Sequence, residues 1–270
     1  MIQFKKHTCC VLLCGGLGKR LSEKTKIIPK PMIKVFGFPI IWYVINSLLN
    51  SNVEKILLPL GYKGQLIKNY IKKNFKKDRE KFLFYNTGKN TSIGKRIEKL
   101  KKEIFKYESF FLVNSDTLFN FNLDDFLRSH YKKKSELSIS SVNMKSSWGT
   151  FFLDKTTNSI KFIKNDYLEG YNLSDKNGYG FRNSGICIIK SKQLNNFNFN
   201  CEDFELYIFN KIFKKKSKIN LYKFNDFFWH PIENMGDLRT VYKDKFIRSC
   251  INKLIKKYKK INGPKSRKSY

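Results

Sequence analysis

Leu12-Leu13-Cys14-Gly15-Gly16-Leu17-Gly18-Lys19-Arg20-Leu21 carries three glycines within four residues at the end of an apolar run, and two cations follow at once. Glycines let backbone N–H groups approach phosphate oxygens closely and adopt positive φ. Arg20 offers a planar fork that matches a phosphate, and Lys19 a point charge. The segment reads as a phosphate-binding loop. It is not a Walker loop, because GK[ST] is absent, and it lacks the GxGxxG spacing of a dinucleotide fingerprint. Ten residues after Arg20 stands Pro29-Lys30-Pro31. Its prolines restrict the backbone around Lys30 and aim the ammonium. Further on, Val113-Asn114-Ser115-Asp116 ends another apolar run on a carboxylate. That is the right ligand for a hard cation bridging substrate phosphates.

These groups need elements to hold them. Residues 9–14 read as a strand that runs into the glycine loop. Apolar residues at helical spacing predict a helix over 39–52. A strand at 55–61, a helix at 64–75, a strand at 81–86, a helix within 91–104 and a strand at 109–116 follow, then a helix at 123–133. Strand–helix alternation predicts an open, mostly parallel sheet, with ligands at the carboxyl ends of its strands. The second half is less regular. Strands are expected at 136–142, 149–154, 159–164, 184–190 and 219–224, a helix at 202–215, and a helix over 237–260. Residues 262–270 read as a tail. No internal repeat or clear linker is visible, which predicts one α/β domain over 1–245, with a basic C-terminal helix and tail over 246–270.

Composition narrows the class. At 270 residues, 41% hydrophobic and 16% aromatic, the chain has material for a packed core, which argues against wholesale disorder. No apolar run reaches the length of a bilayer span. The apolar run of residues 8–14 ends in a glycine loop instead of a cleavage site, so it reads as a buried strand, not a signal peptide. Cys9, Cys10, Cys14, Cys187, Cys201 and Cys250 form no CxxC pair and no zinc spacing, and read as reduced thiols of a cytoplasmic protein. His7, His130 and His230 suggest packing roles. The formal charge of +32 is extreme. Its lysines are scattered along the whole chain, which favours compositional drift over a nucleic-acid surface. Such a surface still attracts anionic substrates.

Together, GGxGxRL and PKPM resemble the signature of the sugar-1-phosphate nucleotidylyltransferases. Residues 13–45 are most similar to the glucose-1-phosphate cytidylyltransferase branch of that family, including the LSE-x-T stretch that ends at Thr25. Residues 61–64 (GYKG) match as well. So does the segment from Asn86 to Arg96, where that branch has a TG-containing loop ending in Gly-x-Arg. The resemblance covers roughly residues 8–245 and is densest in the first third. It implies a Rossmann-like nucleotidyltransferase sheet flanked by helices, with a smaller β-rich sugar-binding portion. It implies nucleotide contacts from Leu13, Cys14, Gly15, Gly16, Leu17, Gly18, Lys19, Arg20, Lys30, Thr87, Gly88, Thr91, Arg96 and Ser115. Arg20, Lys30 and Asp116 are the implied catalytic residues. Asp116 is the implied Mg²⁺ ligand, and Ser115 replaces the family's glycine before it. Within residues 228–237 the W-x-P-x-D segment reappears with Glu233 in the aspartate's place, and Glu233 is expected as the second metal carboxylate ahead of Asp237.

The sugar half departs further. Trp148-Gly149 and Asn183-Ser184-Gly185 resemble the family's aromatic-Gly and Asn-x-Gly elements. The Glu-Lys-Pro triplet between them is gone, and Lys164 is the nearest lysine. Arg182 is an alternative phosphate ligand. The implied reaction joins a nucleoside triphosphate, CTP favoured, to a sugar 1-phosphate. Thymidylyl, uridylyl and guanylyl transfer on the same fold stay open, as does a non-catalytic nucleotide- or nucleic-acid-binding relative. A homo-oligomer is expected from the family. The basic helix within 245–260 has an apolar stripe suited to packing on the domain or another subunit, and its cations suit an anionic membrane surface.

Overall fold

The computed structural model describes residues 8–18, 21, 25–142, 150–154, 160–163, 178–214, 218–224 and 228–262. The chain runs β1 (Thr8–Leu13), β2 (Lys34–Val35), β3 (Phe38–Pro39), α1 (Ile40–Leu49), β4 (Lys55–Leu60), α2 (Gly64–Asn74), β5 (Phe82–Asn86), α3 (Ile93–Ile104), β6 (Ser109–Asn114) and β7 (Thr117–Phe119). It continues through α4 (Leu123–Lys132), β8 (Leu137–Val142), β9 (Thr150–Asp154), β10 (Ile160–Ile163), β11 (Gly178–Lys190), α5 (Phe204–Lys214), β12 (Ile219–Lys223), β13 (Trp229–Pro231), α6 (Met235–Lys243) and α7 (Lys245–Asn262).

β1 is the middle of the molecule because both of its faces are apolar. Cys10 and Leu12 enter one core cluster with Ile40, Ile41, Val44 and Leu48 of α1. Cys9 and Val11 enter the other, with Ile97 and Leu100 of α3 and Ile208 of α5. A strand buried on both sides belongs inside a sheet with helices on each face. β1 pairs in parallel with β4 and β6, and β4 pairs in parallel with β5. Antiparallel β11 then joins β6 to β8 and β9, and completes a nine-stranded mixed sheet. This is the expected α/β architecture. Its parallel half is built around β1, and its other half, where β8, β9 and β11 pair antiparallel and β12 pairs β8 in parallel, carries the second part of the chain.

Four details were not anticipated. The strand expected over 109–116 stops at Asn114, and Ser115-Asp116 form a turn. After that turn, β7 pairs with β13 as a separate two-stranded ribbon. β2 and β3 form a second small hairpin. Lastly, the helix expected over 237–260 is two helices. Asp244 adopts an extended ψ of 119° at the end of α6, and its Oδ1 accepts the N–H of Ile247, which caps α7. α7 is anchored to the domain by Ile251, Leu254 and Tyr258, all buried. The Tyr258 hydroxyl bonds Ser47 at 2.7 Å, and its ring meets Trp42 edge-on at 5.7 Å. All six cysteines are free thiols. Among the described residues, no helix is long and apolar enough to cross a membrane.

Candidate functional site

The carboxyl ends of β1 and β6 lie side by side because these strands pair in register, with Leu13 opposite Asn114. The loop after β1 and the turn after β6 therefore meet. Between them is a cavity of about 310 Å³. Leu13, Cys14, Gly16, Gly18, Lys30, Ser115, Asp116 and Glu233 all line it, together with Pro31. Residues 220 positions apart in sequence, Leu13 and Glu233, thus share one small volume.

Lys30 sits in a 3₁₀ turn, Lys30–Met32, preceded by Pro29. The turn is closed by the N–H of Met32 on the Pro29 carbonyl at 2.8 Å. From there the Lys30 ammonium donates to Asp116 Oδ2 at 2.6 Å. Both side chains keep some solvent contact, at 14% and 24% exposure, so substrate can reach them. Gly18 closes the loop beside this lysine. Its φ is +63°, and an added Cβ would lie 3.0 Å from the Lys30 Cβ. The Ser115 hydroxyl donates to the Leu13 carbonyl at 2.5 Å and fastens the β6 turn to the β1 loop.

The far side of the loop is held by residues that motif reading singled out only as part of a matching string. Thr25 is buried and donates to the carbonyls of Gly18 and Leu21 at 3.1 and 3.0 Å. Tyr62 donates to the Thr25 carbonyl at 3.0 Å, and the Lys63 ammonium reaches the carbonyls of Lys26 and Ile27. Thr25, which ends the LSE-x-T string, and Tyr62 and Lys63 of GYKG are two halves of one clamp.

Arg96 is placed differently from the cavity residues. It is 3% exposed and lies beneath the loop. Its Nη2 donates to the Gly15 carbonyl at 2.9 Å and the Lys89 carbonyl at 3.3 Å, and its Nη1 to Thr87 Oγ1. Thr87 in turn donates to the Leu60 carbonyl at 2.8 Å, and Thr91 to the Thr87 carbonyl at 2.6 Å. Gly88 has φ +94°. Thr87, Gly88, Thr91 and Arg96 thus form a brace next to the cavity lining. Burial lowers the Arg96 pKa from its ordinary value, opposed by the neighbouring Cys14. The same burial pushes the Cys14 thiol up to about 12, which keeps it uncharged beside the loop.

Glu233 and Asp237 have separate positions. Asp237 Oδ2 accepts the N–H groups of Glu233 and Asn234 at 2.8 and 3.0 Å, as half of the capping box of α6. One of its carboxylate oxygens is thereby engaged in the cap, and Glu233 lines the cavity. His230 is likewise taken up locally, with Nε2 3.2 Å from the Asp237 carbonyl. Asn183 is buried, donates to Glu205 at 3.2 Å and accepts the Gly185 N–H at 2.9 Å. This pair sits where β11 changes register against β8. Lys19, Arg20, Trp148, Gly149 and Lys164 lie outside the described residues.

A family model described as nucleotidyl transferase matches residues 9–245. The chain is 32% identical over 163 residues to a probable glucose-1-phosphate cytidylyltransferase of Bacillus subtilis, a match covering 53% of this chain and 64% of that one. This match spans just under two thirds of the Bacillus protein's length. Over 220 residues the chain is 27% identical to D-glycero-alpha-D-manno-heptose 1-phosphate guanylyltransferase of Campylobacter jejuni, covering 81% and 91%. Among solved structures, HddC from Yersinia pseudotuberculosis complexed with GMP-PN superposes with a TM-score of 0.66 at 25% identity, over 87% of this chain and 97% of that one.

Proposed function

The chain belongs to the nucleotidyl transferase family, among its sugar-1-phosphate nucleotidylyltransferases, and on that premise we propose that it transfers the cytidylyl group of CTP to a sugar 1-phosphate. A phosphate oxygen of the sugar phosphate attacks the α-phosphorus. The new O–P bond forms as the bond to the β-phosphate breaks, and pyrophosphate carries the electron pair away. The nucleophile is already ionised, so no protein base is needed. Catalysis then consists of positioning and charge neutralisation.

The observation that carries this reading is the Lys30–Asp116 contact in the same cavity as the glycine loop. The loop's N–H groups would hold the triphosphate, with Arg20 as a further cation. Lys30 would follow the charge on the reacting phosphates. Ser115 and the brace behind Arg96 would fix the loop that the nucleotide meets. Asp116 and Glu233 supply oxygen donors to one cavity, the donor set a Mg²⁺ ion takes alongside substrate phosphates. When bound, the ion would offset phosphate charge. Asn183 and Gly185, with Trp148, Gly149 and Lys164, are the proposed sugar-phosphate side. The Bacillus relative and the motif resemblance support cytosine. The Campylobacter relative gives GTP a place as the second reading. We assign the reaction to the cytoplasm, where nucleoside triphosphates are made, and its product to glycan synthesis.

The test is pyrophosphate release from a matrix of nucleoside triphosphates against sugar 1-phosphates. CTP is expected to give the highest kcat/KM. Preference for GTP overturns the cytidylyl reading, and no release from any pair overturns the catalytic one.

A further inference from the structure

Part of this chain's positive charge is gathered on its last described helix. α7 contains six lysines and one arginine and no carboxylate, and all seven cations are exposed. No ion pair among the described residues involves the helix. Its acidic neighbour Asp244 is spent on the cap. At 3.6 residues per turn, Lys245, Lys253, Lys256, Lys257 and Lys260 share an arc of about 120°, opposite the buried Ile251, Leu254 and Tyr258. Phe246 lies within that cationic arc and is 67% exposed. Next to the start of α7 is Tyr242, 44% exposed, whose ring packs on Phe36 at 4.9 Å. Its hydroxyl meets the carbonyl of exposed Lys34 at 3.3 Å.

We propose that this face of α7 docks on a membrane surface bearing anionic lipid. Charge complementarity selects a polyanion, and the rest of the face selects a lipid surface. The helix is about 27 Å long at 1.5 Å per residue, and its buried face already fixes it to the domain, so it need not fold before meeting a surface. An exposed phenyl ring among lysines suits the boundary between headgroups and acyl chains, with lysine stems lying along it and ammonium groups at the phosphates. Lysine outnumbers arginine six to one on this helix. Point charges fit a diffuse layer of headgroups, whereas nucleic-acid phosphates favour arginine's fork. Lysines elsewhere on the chain raise the general attraction.

Sedimentation of the full chain with vesicles tests this. Partition is expected with phosphatidylcholine–phosphatidylglycerol vesicles and not with phosphatidylcholine alone. It should collapse as salt rises from about 0.1 M to about 1 M, where the screening length falls from about 10 Å to about 3 Å. The triple variant Lys253→Glu/Lys256→Glu/Lys260→Glu should partition at least about a hundredfold less with Tm retained. Phe246→Ser should weaken binding with its charge unchanged. The matched control is Lys72→Glu/Lys73→Glu/Lys77→Glu, which alters charge equally on exposed positions at α2 and just after it. An equal loss in that control would show charge alone to be responsible and overturn the proposal. So would absence of vesicle binding in the native chain, or salt-sensitive binding to RNA without binding to vesicles.

Discussion

Lys30 and Asp116 meet at 2.6 Å, and both side chains keep some solvent contact. A partly exposed ion pair contributes at most about 1 kcal/mol to stability. Lys30→Ala should therefore leave Tm nearly unchanged. Loss of one preorganised cation at developing phosphate charge should still lower kcat by about a hundredfold to a thousandfold, measured by pyrophosphate release. Glu233 and Asp237, four residues apart, should separate in the same way. Glu233→Gln should raise the Mg²⁺ concentration for half-maximal rate about tenfold or more. Asp237→Asn weakens a helix cap, and should instead cost about 1 kcal/mol of stability. A reversed pattern would assign the metal to Asp237.

At the scale of elements, the two adjacent glycines of the loop after β1 have different tasks. A Cβ on Gly15 would stand 2.5 Å from Arg96 Nη1 and 2.6 Å from the Pro59 carbonyl, while one on Gly16 would meet nothing within 4 Å. Gly15→Ala should cost about 1–3 kcal/mol of overpacking, a fall of roughly 3–10 °C in Tm. Gly16→Ala should leave Tm unchanged and affect only nucleotide KM. This asymmetry was hidden in the motif, because GGxG spells both residues alike. The strands and helices of the first half were legible, since their apolar runs are long and periodic. β7 and β13 were not, because three residues carry no period. The break at Asp244 was missed because the apolar spacing continues through it, and only the cap interrupts the helix. Lys30, Asp116 and Glu233 were singled out by their motifs, and the fold brings all three to one cavity. The inward direction of Arg96 was not, because a buried brace and a phosphate ligand use the same side chain.

For the whole molecule, pH acts through buried groups. Burial lowers the pKa of His230 below its ordinary 6.5, against the opposing pull of Asp237. The unfolded chain then binds a proton that the folded chain refuses. This contribution to stability is complete above about pH 6.5 and is lost as pH falls through the lower folded value. Urea unfolding of the native chain should show the loss on the acid side, and His230→Gln should flatten that part of the profile.

The salt bridge in the cleft also has a kinetic meaning. While Lys30 holds Asp116, a lone divalent cation approaching Asp116 meets an ammonium already seated on its oxygen. A triphosphate carrying a divalent cation would offer Lys30 a new anion, leaving the Asp116 carboxylate to hold the ion. Binding should therefore follow a compulsory order, with the metal–nucleotide complex entering as a unit. Mg²⁺ alone should barely move Tm, nucleotide with Mg²⁺ should raise it, and Lys30→Ala should let Mg²⁺ act without nucleotide. A rise with Mg²⁺ alone in the native chain would rule out that order.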